Sequence, residues 1–187
     1  MRKTLRAGLI AGISLFLIAG YVFSQDGKHA YVGSKQCMPC HMAPAKGAQF
    51  KKWQNGPHAK AYETLGTEQS KEVAKEAGVS GNPQEAAECL TCHVTGYEAP
   101  KELKTMKYTM EEGVGCESCH GAGGDYWKMN IMKGIDAGKM DGAEYGLVEP
   151  DAETCVECHN ENSPTYKPFD YEEFWGKIAH PNPQNEG

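Results

Sequence analysis

No cysteine of this 187-residue chain stands outside a Cys-x-x-Cys pair, and no pair lacks a histidine directly after it. A disulfide framework has no reason to include that histidine. Structural zinc also uses Cys-x-x-Cys pairs, but it has no reason to put histidine next to the second cysteine every time. Other absences narrow the class further. No cysteine follows the apolar N-terminal run, so a lipoprotein anchor is not expected. Basic charge falls short of acidic, with 19 Lys+Arg against 25 Asp+Glu, which disfavours nucleic acid as a partner. Histidine is scarce as well, with seven in all.

What is present is one motif four times: Cys37/Cys40/His41, Cys89/Cys92/His93, Cys116/Cys119/His120 and Cys155/Cys158/His159. Cysteines three apart lie on one side of a helical turn, where each can bond a haem vinyl group, and the adjoining histidine can swing under the iron. The pattern predicts four covalently bound c-type haems. It makes His41, His93, His120 and His159 the proximal iron ligands.

The first 24 residues read as an export signal. Arg2, Lys3 and Arg6 precede an apolar run from Leu9 to Phe23, and Val22-Phe23-Ser24 offers a cleavage site before Gln25. The run is short for a spanning helix, which needs about 20 residues; an uncleaved anchor, with the membrane association it would bring, is the alternative. Cytochromes of the c type receive their haem outside the bacterial cytoplasmic membrane, so a periplasmic or otherwise exported location is expected. Removing residues 1–24 leaves 16 Lys+Arg against 25 Asp+Glu, an acidic surface that suits basic patches on redox partner proteins and also keeps a carrier soluble.

Residues 25–187 are expected to form a single domain. Shared among four haems, they leave roughly 41 residues for each, too few for a conventional apolar core. The expected fold is therefore mainly α with long loops, a compact arrangement organised around four closely packed haems, in keeping with 22 Gly and 10 Pro. Asn55-Gly56-Pro57 signals a helix start running through His58, Tyr62 and Leu65. Thr67 to Ala77 reads as a charged helix stopped by Gly78, and Lys104 to Met110 as an extended segment. Gly121-Ala122-Gly123-Gly124 lacks the strand-to-helix setting of a phosphate loop, so a close approach of backbone to porphyrin is expected there. Asp170 to His180 reads as an amphipathic helix with Phe174, Trp175 and Ile178 inward, ended by Pro181.

Three histidines lie outside the motifs: His29, His58 and His180. A second histidine on the far face of an iron gives a low-spin site suited to electron transfer, because nothing must bind or leave when the iron changes charge. Four irons need eight axial ligands, and seven histidines supply at most seven. One iron must therefore lack a histidine partner. Met106, Met110, Met129 and Met132 lie in connecting segments where a methionine could fill the gap, although most methionines only pack.

Three stretches, Trp53 to Ala61 (WQNGPHAKA), Cys89 to Tyr97 (CLTCHVTGY) and Gly113 to Gly121 (GVGCESCHG), closely resemble the cytochrome c-554 family. The likeness extends from about Tyr31 to His180. It implies a mostly helical fold around four closely spaced haems, three with two histidine ligands and one, at Cys89/Cys92/His93, with an open iron. By position in the family pattern, His58 becomes the distal ligand to the haem of His120, and His180 that to the haem of His159. The family places another distal histidine shortly after the third motif, where this chain has Asp125-Tyr126-Trp127. His29, eight residues before Cys37, is the available replacement for the haem of His41.

The expected function is a periplasmic carrier passing single electrons between redox partners in a respiratory or nitrogen-oxide-linked chain. Two alternatives stand beside it. One is a haem enzyme reducing a small nitrogen-oxide ligand at the open haem, although no histidine is left over for catalysis; the other is a subunit of an extracellular cytochrome filament.

Overall fold

The computed structural model describes residues 29–183. The expected export signal, residues 1–24, lies outside them. Among the described residues the architecture is helical, with nine short α-helices joined by 3₁₀ turns and loops. In order these are α1 (Met38–His41), α2 (Gln49–Gln54), α3 (Ala61–Leu65), α4 (Glu68–Glu76), α5 (Ala87–His93), α6 (Cys116–His120), α7 (Met129–Asp136), α8 (Ala152–Val156) and α9 (Tyr171–Ile178). None is long and apolar enough to cross a membrane.

Glycine, proline and side-chain caps set these lengths. The turn at Asn55-Gly56-Pro57 ends α2, and a 3₁₀ turn over His58–Lys60 leads into α3. In α4, the longest helix, the Thr67 hydroxyl accepts from the Ser70 N–H, and Gly78 at φ +77° ends the run. Its charged face meets water, while Ala74 is buried.

No β-strand forms among the described residues. The extended segment expected over Lys104 to Met110 contributes one parallel bridge, from Lys104 to Tyr31, and then closes into a 3₁₀ turn at Met110–Glu112. Two hydrogen bonds make the bridge, Tyr31 N–H to the Leu103 carbonyl at 2.6 Å and Thr105 N–H to the Tyr31 carbonyl at 3.0 Å. With a single partner residue on each side, no ladder can grow.

The apolar core is divided. Leu65 from α3 meets Leu90 and Val94 around α5, ringed by Tyr62, Tyr97, Tyr108 and Met110. A second buried group, Val32, Ala122 and Tyr126, lies beside the third motif. At the C-terminus α9 differs from expectation: Phe174 and Trp175 are exposed rather than inward. They pack on aromatics of their own segment, Phe174 on Phe169 with ring centres 5.1 Å apart and Trp175 on Tyr171 at 5.8 Å.

Candidate functional site

Each Cys-x-x-Cys-His unit occupies about one helical turn. His41 N–H bonds the Cys37 carbonyl at 3.1 Å, and His159 N–H bonds that of Cys155 at 3.0 Å, so the first cysteine and the histidine are one turn apart on the same side. The second motif ends α5 at His93, and the third is α6 itself. None of the eight cysteines is joined to another in a disulfide. No group of three or more His, Cys, Asp or Glu among the described residues is arranged to hold a metal ion.

The motifs neighbour one another in an order the chain does not follow. The Cys37 and Cys116 side chains lie beside each other, joining the first motif to the third. Cys119 and Cys155 lie within electrostatic range, joining the third to the fourth. The Cys158 and Cys92 side chains lie beside each other, joining the fourth to the second. The cysteine contacts thus run first, third, fourth, second, and Thr95, two residues after His93, also meets Ser118 of the third motif at 2.8 Å.

The histidines fall into cross-chain pairs. The rings of His58 and His159 are 6.1 Å apart centre to centre, and so are those of His120 and His180. Metal–nitrogen bonds of roughly 2 Å on both faces of an iron separate two imidazole centres by about 6 Å. Both pairs fit an iron held between them. The pairing exchanges the expected one, which set His58 with His120 and His180 with His159. The cause is long-range. His58 leads into α3, whose Ala61 carbonyl bonds His93 Nδ1 at 2.8 Å, so it sits on the side of the neighbouring second and fourth motifs. His180 follows α9 back to α2, where the Lys52 ammonium donates to the Ala179 carbonyl, and so comes beside the first and third motifs.

Three of the seven rings turn Nδ1 to a backbone carbonyl and so leave Nε2 for a metal. His93 uses the Ala61 carbonyl, His180 that of Ile178 at 2.8 Å, and His120 that of Val148 at 3.4 Å. Burial lowers the pKa of His41, His58, His120 and His159 below the usual imidazole value, favouring the neutral form that a metal needs.

His29 is 5% exposed, with Nδ1 at 2.8 Å from Asp125 Oδ2 and Nε2 buried without a hydrogen-bond partner. It therefore lies beside the Asp125-Tyr126-Trp127 segment. Of the four methionines considered, Met106 and Met129 are exposed and Met110 packs in the Leu65–Leu90–Val94 cluster.

Two acidic residues that sequence reasoning passed over organise this region. Glu117, inside the third motif and 3% exposed, accepts from the N–H groups of Val32 at 2.9 Å, Gly33 at 2.8 Å and Gly123 at 2.6 Å. Burial raises its pKa, with the three N–H donors opposing. Asp125 is held below the usual carboxylate range chiefly by its bond to His29. A non-cysteine acid within a haem motif was a usable signal for Glu117; nothing local marked Asp125. The glycines after the third motif approach the chain's own backbone: Gly121 lies against the Gly146 carbonyl, and a Cβ on Gly124 would meet the Ala30 carbonyl at 2.7 Å.

The family model for cytochrome c554 and c-prime matches residues 29–121, which hold the first three motifs. Cytochrome c-554 of Nitrosomonas europaea is 31% identical over 176 residues, covering 85% of this chain and 69% of that protein. No solved structure matches the chain.

Proposed function

The chain belongs to the cytochrome c-554 family, whose members are c-type cytochromes with covalently bound haem, and on that premise we propose a four-haem electron carrier. A haem supplies reversible one-electron exchange at its iron, and the protein tunes it through axial ligands, hydrogen bonds and burial. In this reading Cys37, Cys40, Cys89, Cys92, Cys116, Cys119, Cys155 and Cys158 form the thioether links. His41, His93, His120 and His159 hold the irons from one face. His159 with His58 and His120 with His180 complete two sites, His29 completes the site of His41, and His93 stands without a histidine opposite it.

The observation that carries this reading is the pair of 6.1 Å imidazole spacings, each joining a motif histidine to one from a distant segment. The contacts between motifs support electron passage from first to third to fourth to second. In this reading the open site belongs to the second motif. The acidic surface suits basic redox proteins as donor and acceptor, and the N-terminal basic and apolar pattern suits an exported, periplasmic carrier.

Haem quantitation should return four per chain. Electron paramagnetic resonance of the oxidised protein should show three low-spin signals and one high-spin signal, the latter altered by added nitric oxide. Four low-spin signals would sink the open site. His58→Ala should convert the fourth-motif haem to high spin and His180→Ala the third; the reverse assignment would restore the pairing expected from the family pattern.

A further inference from the structure

We propose that Asp125 is a positioning residue for the first haem: it fixes His29 with Nε2 free for the iron, and its carboxylate makes that imidazole the strongest donor of the set. The proposal rests on the reading of His29 as the ligand opposite His41.

The geometry leaves His29 few alternatives. Its Nδ1 is 2.8 Å from Asp125 Oδ2, so with an ionised carboxylate Nδ1 carries the hydrogen and donates. Nε2 then holds a lone pair, buried and without a hydrogen-bond partner. A buried acceptor that finds no donor is an exception in folded proteins and calls for an explanation, and a metal supplies one. The ring is also fixed from the other side. Gly146, at φ +86°, lies so close that a Cβ there would meet His29 Cδ2 at 2.6 Å, so no other residue fits at 146 without moving the imidazole. Lys128, 3.4 Å from the other Asp125 oxygen, steadies the carboxylate.

The chemical consequence follows from comparing Nδ1 partners. Those of His93, His120 and His180 are neutral backbone carbonyls. Only His29 among these four has a carboxylate. A hydrogen bond to an anion shifts electron density onto the imidazole and stabilises the ferric state over the ferrous. The exchange remains a single electron with no proton lost, because Nδ1 keeps its hydrogen in both states. The first haem therefore has the lowest potential of the bis-histidine sites. Second-shell partners of metal-bound histidine typically count for 10- to 100-fold. At the lower end, a tenfold change in the ferric-to-ferrous ratio is about 59 mV for one electron.

The test uses the full haem-loaded protein in spectroelectrochemical titration with parallel electron paramagnetic resonance. Asp125→Asn should leave the low-spin count unchanged and raise one midpoint potential by about 59 mV, and Asp125→Glu should recover most of that shift. Unchanged potentials in the asparagine variant would overturn the role of Asp125. His29→Ala separates this from the underlying reading, since it should create a second high-spin haem; if it does not, His29 is no ligand and the reading itself fails. Should Asp125→Asn not mature with four haems, the unaltered protein decides: the haem that turns high-spin in His29→Ala must be the one with the lowest potential among the low-spin set, and any other rank refutes the proposal.

Discussion

The first and third motifs are tied by hydrogen bonds between distant segments, whereas the hydrogen bonds around the fourth are local. Around the third motif, Glu117 gathers Val32 and Gly33 from more than 80 residues away, Trp53 Nε1 donates to the Val114 carbonyl at 2.8 Å, and the Cys116 N–H reaches the Ser34 hydroxyl at 3.1 Å. Around the fourth, Asp151 and Thr154 form a capping box three residues wide, and α9 begins on a similar local cap from Asp170. Tertiary bonds make a site rigid but expose it to one bad substitution. Local caps fail singly and at little cost.

Substitutions can break or sharpen that contrast. Glu117→Ala should have the largest effect, because it strands three buried N–H donors at once; a loss of roughly 3–5 kcal/mol in denaturant unfolding of the haem-loaded protein is expected. A loss under 1 kcal/mol would mean the third motif is no more tightly tied than the fourth. Trp53→Phe removes one donor to a partly buried carbonyl while keeping most of the ring, and should cost about 1 kcal/mol by the same measurement. A pH profile tests Glu117 in a second way. Its folded pKa is raised above the ordinary 4.5, so its contribution to stability is greatest below that value and declines as pH rises through the folded value. Glu117→Gln should flatten this decline; a slope equal to that of the parent protein would exclude Glu117 as its source. Asp151→Ala should have the smallest effect, a shift in unfolding midpoint below that of Trp53→Phe and no change in the spectra of the first and third haems.

The same contrast explains what was legible in the sequence. The motifs, the helix from Glu68 to Glu76 and its Thr67 and Gly78 ends follow from residues within a few positions of one another, and all are read correctly from local chemistry. The nearness of His58 to His159 depends on where segments about a hundred residues apart meet, and position within the family pattern gave no sign of it. Lys104 to Met110 had the composition of an extended segment but found only Tyr31 beside it, so the backbone closed into a turn. Phe174 and Trp175 sit on the expected helix, yet their periodicity could not reveal that Phe169 and Tyr171, from the same segment, would cover one side of each ring. Asp125 was invisible for a similar reason, since its meaning comes entirely from a histidine 96 residues earlier.

The contact order first, third, fourth, second has a consequence for synthesis. A polypeptide emerges from its N-terminus, so the first motif must wait for the third, and the second for the fourth, before either has its neighbour. A chain cut anywhere between His93 and Cys116 carries two motifs and neither contact. The interleaving ties the two halves together, so that the neighbour contacts of the first two motifs form only once the second half of the chain is in place.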